Sequence, residues 1–166
     1  DLAAAYLSLL VGKGAGTGWD RTEVIPVAHL LIGIRQPIVI DCGANVGKWT
    51  IGLRERLSSD AGTWFLVEPA PRCAAACRKI PNVEVIEAAA GETPGHLQLH
   101  LDEGRSELAS LYSRRDTFAA GGDFVQHEVP VITIDDLIEQ RALETVHFLK
   151  MDIEGHELFA LKGAQR

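Results

Sequence analysis

The sequence predicts an α/β protein of three layers, with helices on both faces of a mainly parallel sheet, and three observations carry that prediction. Short apolar runs alternate with helix-compatible runs, the order that specifies parallel strands joined by helices. The first strand-like run, Ile38 to Asp41, passes straight into a glycine turn and a helix in IVIDCGANVGKWT. The second, TWFLVEP from Thr63 to Pro69, ends in another acid, Glu68. In open α/β sheets ligands lie beyond the carboxyl ends of the strands, so both acids fall where a ligand is expected.

Taken in order, Leu2 to Val11 is apolar and helix-compatible but well short of the roughly 20 residues that span a bilayer. The stretch GKGAGTG, with Gly12, Gly14, Gly16 and Gly18, mimics a phosphate loop, yet no strand precedes it, and it reads as a linker. Val24 to Ile34 is a helix packing on the sheet, broken at Pro37. Residues 1–37 therefore form an N-terminal helical segment with a Gly-rich linker, and residues 38–166 form the main domain. That domain begins strand, helix, strand, helix, strand: Ile38 to Asp41, Val46 to Leu57, Trp64 to Val67, Arg72 to Lys79, and Val83 to Ala88. Right-handed crossovers set these three strands side by side.

His96 to Leu101 alternates as a strand with His96, Gln98 and His100 on one face, and Val129 to Ile134 reads as another. Between them Asp102 to His127, with Arg105, Ser106, Tyr112 and Gly121-Gly122, reads as a long polar loop, the kind that serves as a lid or binding loop. Its segment Ser106 to Tyr112 either approaches a ligand or is plain disordered chain. Val146 to Met151 is an apolar strand with Asp152 to Glu157 at its carboxyl end.

The glycine spacing discriminates among ligands. The dinucleotide fingerprint needs G-x-G-x-x-G, whereas this turn reads G-A-N-V-G, which disfavours NAD. A phosphate loop needs four residues between its glycines and then Lys with Ser or Thr; three separate Gly43 from Gly47, and Trp49 follows Lys48, which disfavours ATP. Glu68 ends the second strand where a carboxylate accepts hydrogen bonds from both hydroxyls of a ribose.

Three blocks, VIDCGANVG (Val39 to Gly47), FLVEPAP (Phe65 to Pro71) and FLKMDIEGHELFALKGA (Phe148 to Ala164), resemble the FkbM family of S-adenosylmethionine-dependent methyltransferases and occur in that family's order. The last is the most specific: Lys150, Asp152, Glu154, Gly155 and Glu157 match the signature K-x-D-x-E-G-x-E, with the weaker TIDDL element (Thr133 to Leu137) before it. The resemblance implies a Rossmann-like class I methyltransferase fold and S-adenosyl-L-methionine as cofactor. Asp41, Gly43, Ala44, Asn45 and Gly47 would cradle its methionine part, Glu68 and Pro69 its ribose, and Asp152 would lie beside it. Ala89, with Ala90 and Gly91, either admits the adenine ring or is simply a tight strand exit.

The implied reaction is O-methylation of a small-molecule or sugar hydroxyl. It needs the acceptor held in line with the sulfur and relieved of its proton. His156 or Asp152 is a candidate to take that proton, Asp152 and Glu154 to hold the acceptor, and Lys150 to stabilise developing negative charge. Asp152, Glu154 and His156 also make an oxygen and nitrogen set for a divalent ion, but no further carboxylate pair completes an octahedron, and no metal is assigned. Glu154 and Glu157 can instead cap the following helix.

At 166 residues, 46% hydrophobic and 23% charged, the chain is long enough to bury a core as one soluble domain. The formal net charge of -7 argues against a nucleic-acid partner, since phosphate neutralisation needs clustered Lys and Arg and the close pair Arg114-Arg115 stands alone. Three cysteines, Cys42, Cys73 and Cys77, with no secretory signal, fit a reducing, cytoplasmic setting and no membrane partner. Cys73 and Cys77 share a helical face without further ligands and read as small core residues. The chain starts with Asp1 and stops two residues after Ala164, where the family's fold continues through further strands, so the domain is expected to be C-terminally incomplete with an exposed edge strand. The rival reading is a noncatalytic domain that binds S-adenosylmethionine or serves as a Rossmann-like interaction module; retention of Asp41, Glu68, Asp152 and Glu154 argues against it.

Overall fold

Four parallel strands form the centre of the protein, a computed structural model that describes residues 23–57, 61–102, 109–110 and 124–166. They are β1 (Ile38–Cys42), β2 (Thr63–Val67), β3 (Glu84–Ile86) and a late strand, β8 (Phe148–Met151), in the spatial order β3-β2-β1-β8. The first three lie side by side as the crossovers require, and β8 joins on the free side of β1. The runs IVIDC and TWFLV are apolar on both faces because both are covered.

One face packs on α1 (Ile25–Leu31) and α2 (Lys48–Leu57): Val39, Trp64 and Leu66 meet Val27, Ala28, Leu31 and Leu53 in one buried cluster. The opposite residues, Ile40, Cys42, Phe65 and Val67, meet α4 (Ile134–Gln140) and α5 (Glu157–Lys162) through Ile134, Leu137 and Ala160. The three-layer prediction therefore holds, with α1 sharing the core of the main domain.

Element ends move for local reasons. Helix α1 stops at Leu31 because Ile32 turns extended (ψ 129°) and Gly33 takes φ 90°. Helix α2 starts at Lys48, two residues later than expected, since Asn45 and Gly47 hold positive φ and keep the turn open. Helix α3 (Pro71–Cys77) takes Pro71 in its first turn, where a missing N–H is harmless. Strand β8 loses its first two expected residues; there His147 Nδ1 accepts a hydrogen bond from Ile38 N (3.0 Å), while His147 N donates to Ile38 O (2.8 Å).

The expected strand Val83 to Ala88 and its exit divide between two sheets. After β3 the chain turns and β4 (Ala89–Ala90) enters a second sheet of order β4-β7-β5-β6, with β5 (Gly95–Asp102), β6 (Ala109–Ser110) and β7 (Phe124–Ile132). Strands β5 and β7 are antiparallel along their whole length, from Gly95 opposite Val131 to Asp102 opposite Phe124. The loop expected from Asp102 to His127 is thus strand at both ends. The pattern hid this because His127 lies opposite Leu99 and Pro130 interrupts the run, and prolines demote a strand. Among the described residues, strand β4 pairs with Val131 and Ile132 alone, so Pro130 lies beyond that ladder.

The expected strand to Ile134 ends at Ile132, because Thr133 is extended and its Oγ1 accepts a bond from Asp136 N (2.9 Å), an N-cap that starts α4. The readings of Leu2 to Val11, of the Gly12 to Gly18 linker, of Arg105, of Arg114-Arg115 and of most of Ser106 to Tyr112 fall outside the described residues.

Candidate functional site

The loops leaving β1, β2 and β8 meet at one end of the parallel sheet, and each carries residues singled out by the sequence. At β1, Gly43 N donates to Val67 O (2.9 Å), hanging the turn on the end of β2. Gly43 has φ 74°, and a Cβ there would sit 2.0 Å from the Asp152 carbonyl oxygen. Gly47 has φ 78°, and its Cβ would meet Ile80 Cδ1 at 2.3 Å. Gly43 is therefore demanded by backbone conformation and by packing against the Asp152 backbone, and Gly47 by its backbone conformation, before any ligand is considered.

Asn45 adopts φ 52°, a conformation its short polar side chain tolerates. Two thiols hold it there: Cys77 Sγ donates to Asn45 O (3.0 Å) and Cys73 Sγ to Asn45 Oδ1 (3.6 Å). Burial pushes the Cys77 thiol up to about 12, reinforced by the nearby Glu68 and Asp41 charges, so it stays a protonated donor. Cys42 is likewise pushed up to about 12 by burial, with Asp41 adding and Lys150 opposing. The sequence reading of Cys73 and Cys77 as small core residues captures their burial and misses their hold on the turn, which only the packing of α3 on that loop reveals.

At the end of β2, Glu68 is 5% exposed. Its Oε2 accepts from Asn45 N (2.8 Å) and its Oε1 from Ala70 N (2.8 Å), so one carboxylate ties the glycine turn to the loop after β2. Burial raises its pKa above the ordinary glutamate range; those two N–H bonds and Lys150 oppose the rise, and Asp41 adds to it. An ionised carboxylate has about four acceptor positions, and these bonds fill one on each oxygen. Within the turn, Gly43 N, Ala44 N, Asn45 N and Gly47 N all donate inside the protein, so this stretch presents shape and acceptors to a ligand, not those four amides.

At β8, the parallel register sets Lys150 beside Asp41. The Asp41 carboxylate is buried; its Oδ2 accepts from Thr50 Oγ1 (2.7 Å), and the Lys150 ammonium lies 3.1 Å from Oδ1. Oδ1 receives no aligned hydrogen bond, so its compensation is ionic. The same ammonium is 3.9 Å from Asp152 Oδ2, whose side chain is 71% exposed. Asp152 N donates to Cys42 O (3.1 Å), fixing the β8 exit across the glycine turn.

Beyond it Glu154 (φ 54°) and Gly155 (φ 95°) make a tight left-handed turn. Glu157 closes the turn, its Oε1 accepting from Ile153 N (3.2 Å) and Gly155 N (3.1 Å). Burial would raise the Glu157 pKa, but the Gly155 and Ile153 bonds and His156 outweigh it and hold the carboxyl below the ordinary range. Of the two expected helix-capping acids, Glu157 secures the entry to α5, while Glu154 stands exposed in the turn. His156 is half-buried and stacked on Phe159 (centroids 4.7 Å apart); burial lowers its pKa, with Glu157 opposing.

Asp41, Gly43, Ala44, Asn45, Gly47, Glu68, Lys150 and Asp152 thus form one connected set. Pro69 is half-buried beside it. Ala89 is 3% exposed and packed with Ala70, Cys73, Leu99, Val129 and Val131, so the tight strand exit explains its small side chain and no open surface is left at it. Among the described residues, no three His, Cys, Asp or Glu side chains cluster as a metal site, and no helix is long and apolar enough to cross a membrane.

With this geometry in place, the sequence blocks that build it can be set beside known proteins. Residues 41–166 match the methyltransferase FkbM domain, and the chain belongs to that family. It is similar to the 2-O-methyltransferase NoeI of Sinorhizobium fredii (strain NBRC 101917 / NGR234), at 23% identity over 78% of this chain and 58% of that protein. It also shares a fold with the crystal structure of methyltransferase FkbM from Methylobacillus flagellatus KT, at a TM-score of 0.50 and 23% identity, covering 78% of this chain and 29% of that one. The chain therefore spans less than two thirds of either relative's length.

Proposed function

We propose that the chain is a methyltransferase domain that binds S-adenosyl-L-methionine between the glycine turn and Glu68 and directs its methyl group to a hydroxyl oxygen of a small molecule or sugar. The observation that carries this reading is Glu68, a carboxylate at the carboxyl end of β2 whose two oxygens bridge Asn45 N and Ala70 N. Family membership and the name of the 2-O-methyltransferase relative support the reaction type.

The residues fit the cofactor. With one N–H on each oxygen, Glu68 keeps acceptor capacity for the two hydroxyls of a ribose. When bound, S-adenosylmethionine supplies an electrophilic methyl group on a sulfonium centre. Asp41, Gly43, Ala44, Asn45, Gly47 and Pro69 would border the methionine and ribose portions.

The chain's own part is to hold the acceptor and take its proton. Asp152 and Glu154 stand exposed at the β8 exit and are suited to bind hydroxyl groups. His156 follows two residues on; burial favours its neutral form, which accepts a proton as the C–O bond forms. The reaction is assigned to the cytoplasm, where the three buried free thiols stay reduced.

Incubation with methyl-labelled S-adenosylmethionine and a panel of sugar and small-alcohol acceptors tests the proposal. Label should reach a hydroxyl oxygen, and Asp152→Asn should reduce transfer. Label found only on nitrogen, or none transferred under conditions where the cofactor binds, would overturn it.

A further inference from the structure

The signature lysine has a less obvious place than the neighbouring acids. Lys150 and Asp41 are register partners on adjacent parallel strands, with side chains on the α2 face of the sheet. The Lys150 side chain is 12% exposed against 71% for Asp152, so its ammonium lies on the inner side of that acid. It sits 5.7 Å from the centre of the Trp49 ring, which is itself stacked on Phe148. Its nearest partner is Asp41 Oδ1, a buried oxygen with no aligned hydrogen bond. A carboxylate taken this far from water without a counter-charge is strongly disfavoured and neutralises by taking up a proton.

We propose that Lys150 is a positioning residue: its ammonium is the counter-charge that anchors the buried Asp41 carboxylate beneath the glycine turn and steadies Asp152, and it acts through those two acids without touching the methyl acceptor. Asp41 reaches α2 through Thr50 and stands two residues before Gly43; Lys150 stands two residues before Asp152, whose carbonyl oxygen would lie 2.0 Å from a Gly43 Cβ. The ion pair therefore locks the two chain segments that cross beneath the site. Its charges are also felt by Cys42 beside Asp41, by Glu68 at the end of β2 and by Cys77 on α3. The link to cofactor binding rests on the function proposed above; the ion-pair role is read without any cofactor.

The experiment compares the wild type, Lys150→Met, Lys150→Arg and the double variant Asp41→Asn/Lys150→Met. Thermal unfolding of each is followed from about pH 5 to pH 8, and S-adenosylhomocysteine binding is measured by calorimetry. In Lys150→Met the buried Asp41 carboxylate loses its counter-charge, so the melting temperature relative to wild type should fall as pH rises into the range where carboxylates ionise. The double variant, lacking both charges, should lose that slope, and Lys150→Arg should restore most of the wild-type profile. Glu68 also feels both charges and adds its own pH dependence in each of the four proteins.

Binding should weaken about tenfold in Lys150→Met and stay within about threefold of wild type in Lys150→Arg, which keeps the counter-charge. If Lys150→Met does not fold, folding of the double variant supports the proposal and its failure to fold overturns it. The proposal is also overturned if Lys150→Met tracks wild type at every pH, or if the double variant keeps the same pH slope as Lys150→Met. Absence of binding by wild type would instead refute the cofactor reading, leaving the pH slopes to decide the ion pair.

Discussion

Replacing Gly43 by alanine separates two explanations of the glycine turn, one in which the glycine makes room for a ligand and one in which it makes room for the protein. The new Cβ would lie 2.0 Å from the Asp152 carbonyl oxygen and 2.9 Å from its carbon, both backbone atoms that no side-chain rotation can move aside. The residue would also hold φ 74°, which for alanine costs about 1–2 kcal/mol. Overpacking of a filled site typically adds about 1–3 kcal/mol, so the total is about 2–5 kcal/mol against a whole-domain stability of roughly 5–15 kcal/mol. At about 2–4 °C per kcal/mol for a chain of this size, the melting temperature should drop by about 4–20 °C with no cofactor present. Thermal unfolding followed by circular dichroism measures it. Gly95→Ala is the control: its Cβ meets nothing within 4 Å and its φ is not positive, so its stability should stay within about 0.5 kcal/mol of wild type. A Gly43→Ala protein that melts with the wild type would refute the reasoning and return the glycine to the ligand.

The other predictions concern the groups that hold the turn and the proposed base. Cys77→Ala removes the thiol donor to Asn45 O and opens a small void, and should destabilise the domain by about 1–3 kcal/mol; an unchanged urea midpoint would show that the thiol does not support the turn. Because burial raises the Glu68 pKa, its contribution is fullest in acid and is lost as pH rises through that raised value, so wild-type stability relative to Glu68→Gln should decline with rising pH above the ordinary glutamate range. A difference that grows with pH would mean that the N–H bonds to the ionised form outweigh burial. Burial lowers the His156 pKa, so if His156 takes the acceptor's proton the acid limb of the kcat/KM profile should fall below 6.5 and vanish in His156→Gln; an acid limb that persists in the variant would assign the base to another group.

Much of the fold is legible in the chain because strand and helix periods, the glycine turn and the two strand-ending acids all point the same way. IVIDC and TWFLV announce buried parallel strands, and Asp41 and Glu68 mark the end of the sheet where the loops converge. The second sheet is less legible, since Pro130 and the exposed His127, which lies opposite Leu99, break the alternation that would have marked β7. Within the site, residue identity was readable and partnership was not. Lys150 is plain as part of a signature, but its attachment to Asp41 depends on β8 pairing with β1 across more than a hundred residues of chain. The thiol bonds to Asn45 depend likewise on how α3 docks, which no local pattern encodes.

The central claim, that Glu68 and the glycine turn form a site for S-adenosylmethionine, is tested most directly by calorimetric titration of S-adenosylhomocysteine into wild type and Glu68→Gln. The account predicts binding to the wild type and a loss of at least about tenfold in the variant, the loss expected when a charged acceptor is removed from a hydroxyl pair. Equal binding to both proteins, or binding of NAD in place of the homocysteine nucleoside, would contradict it.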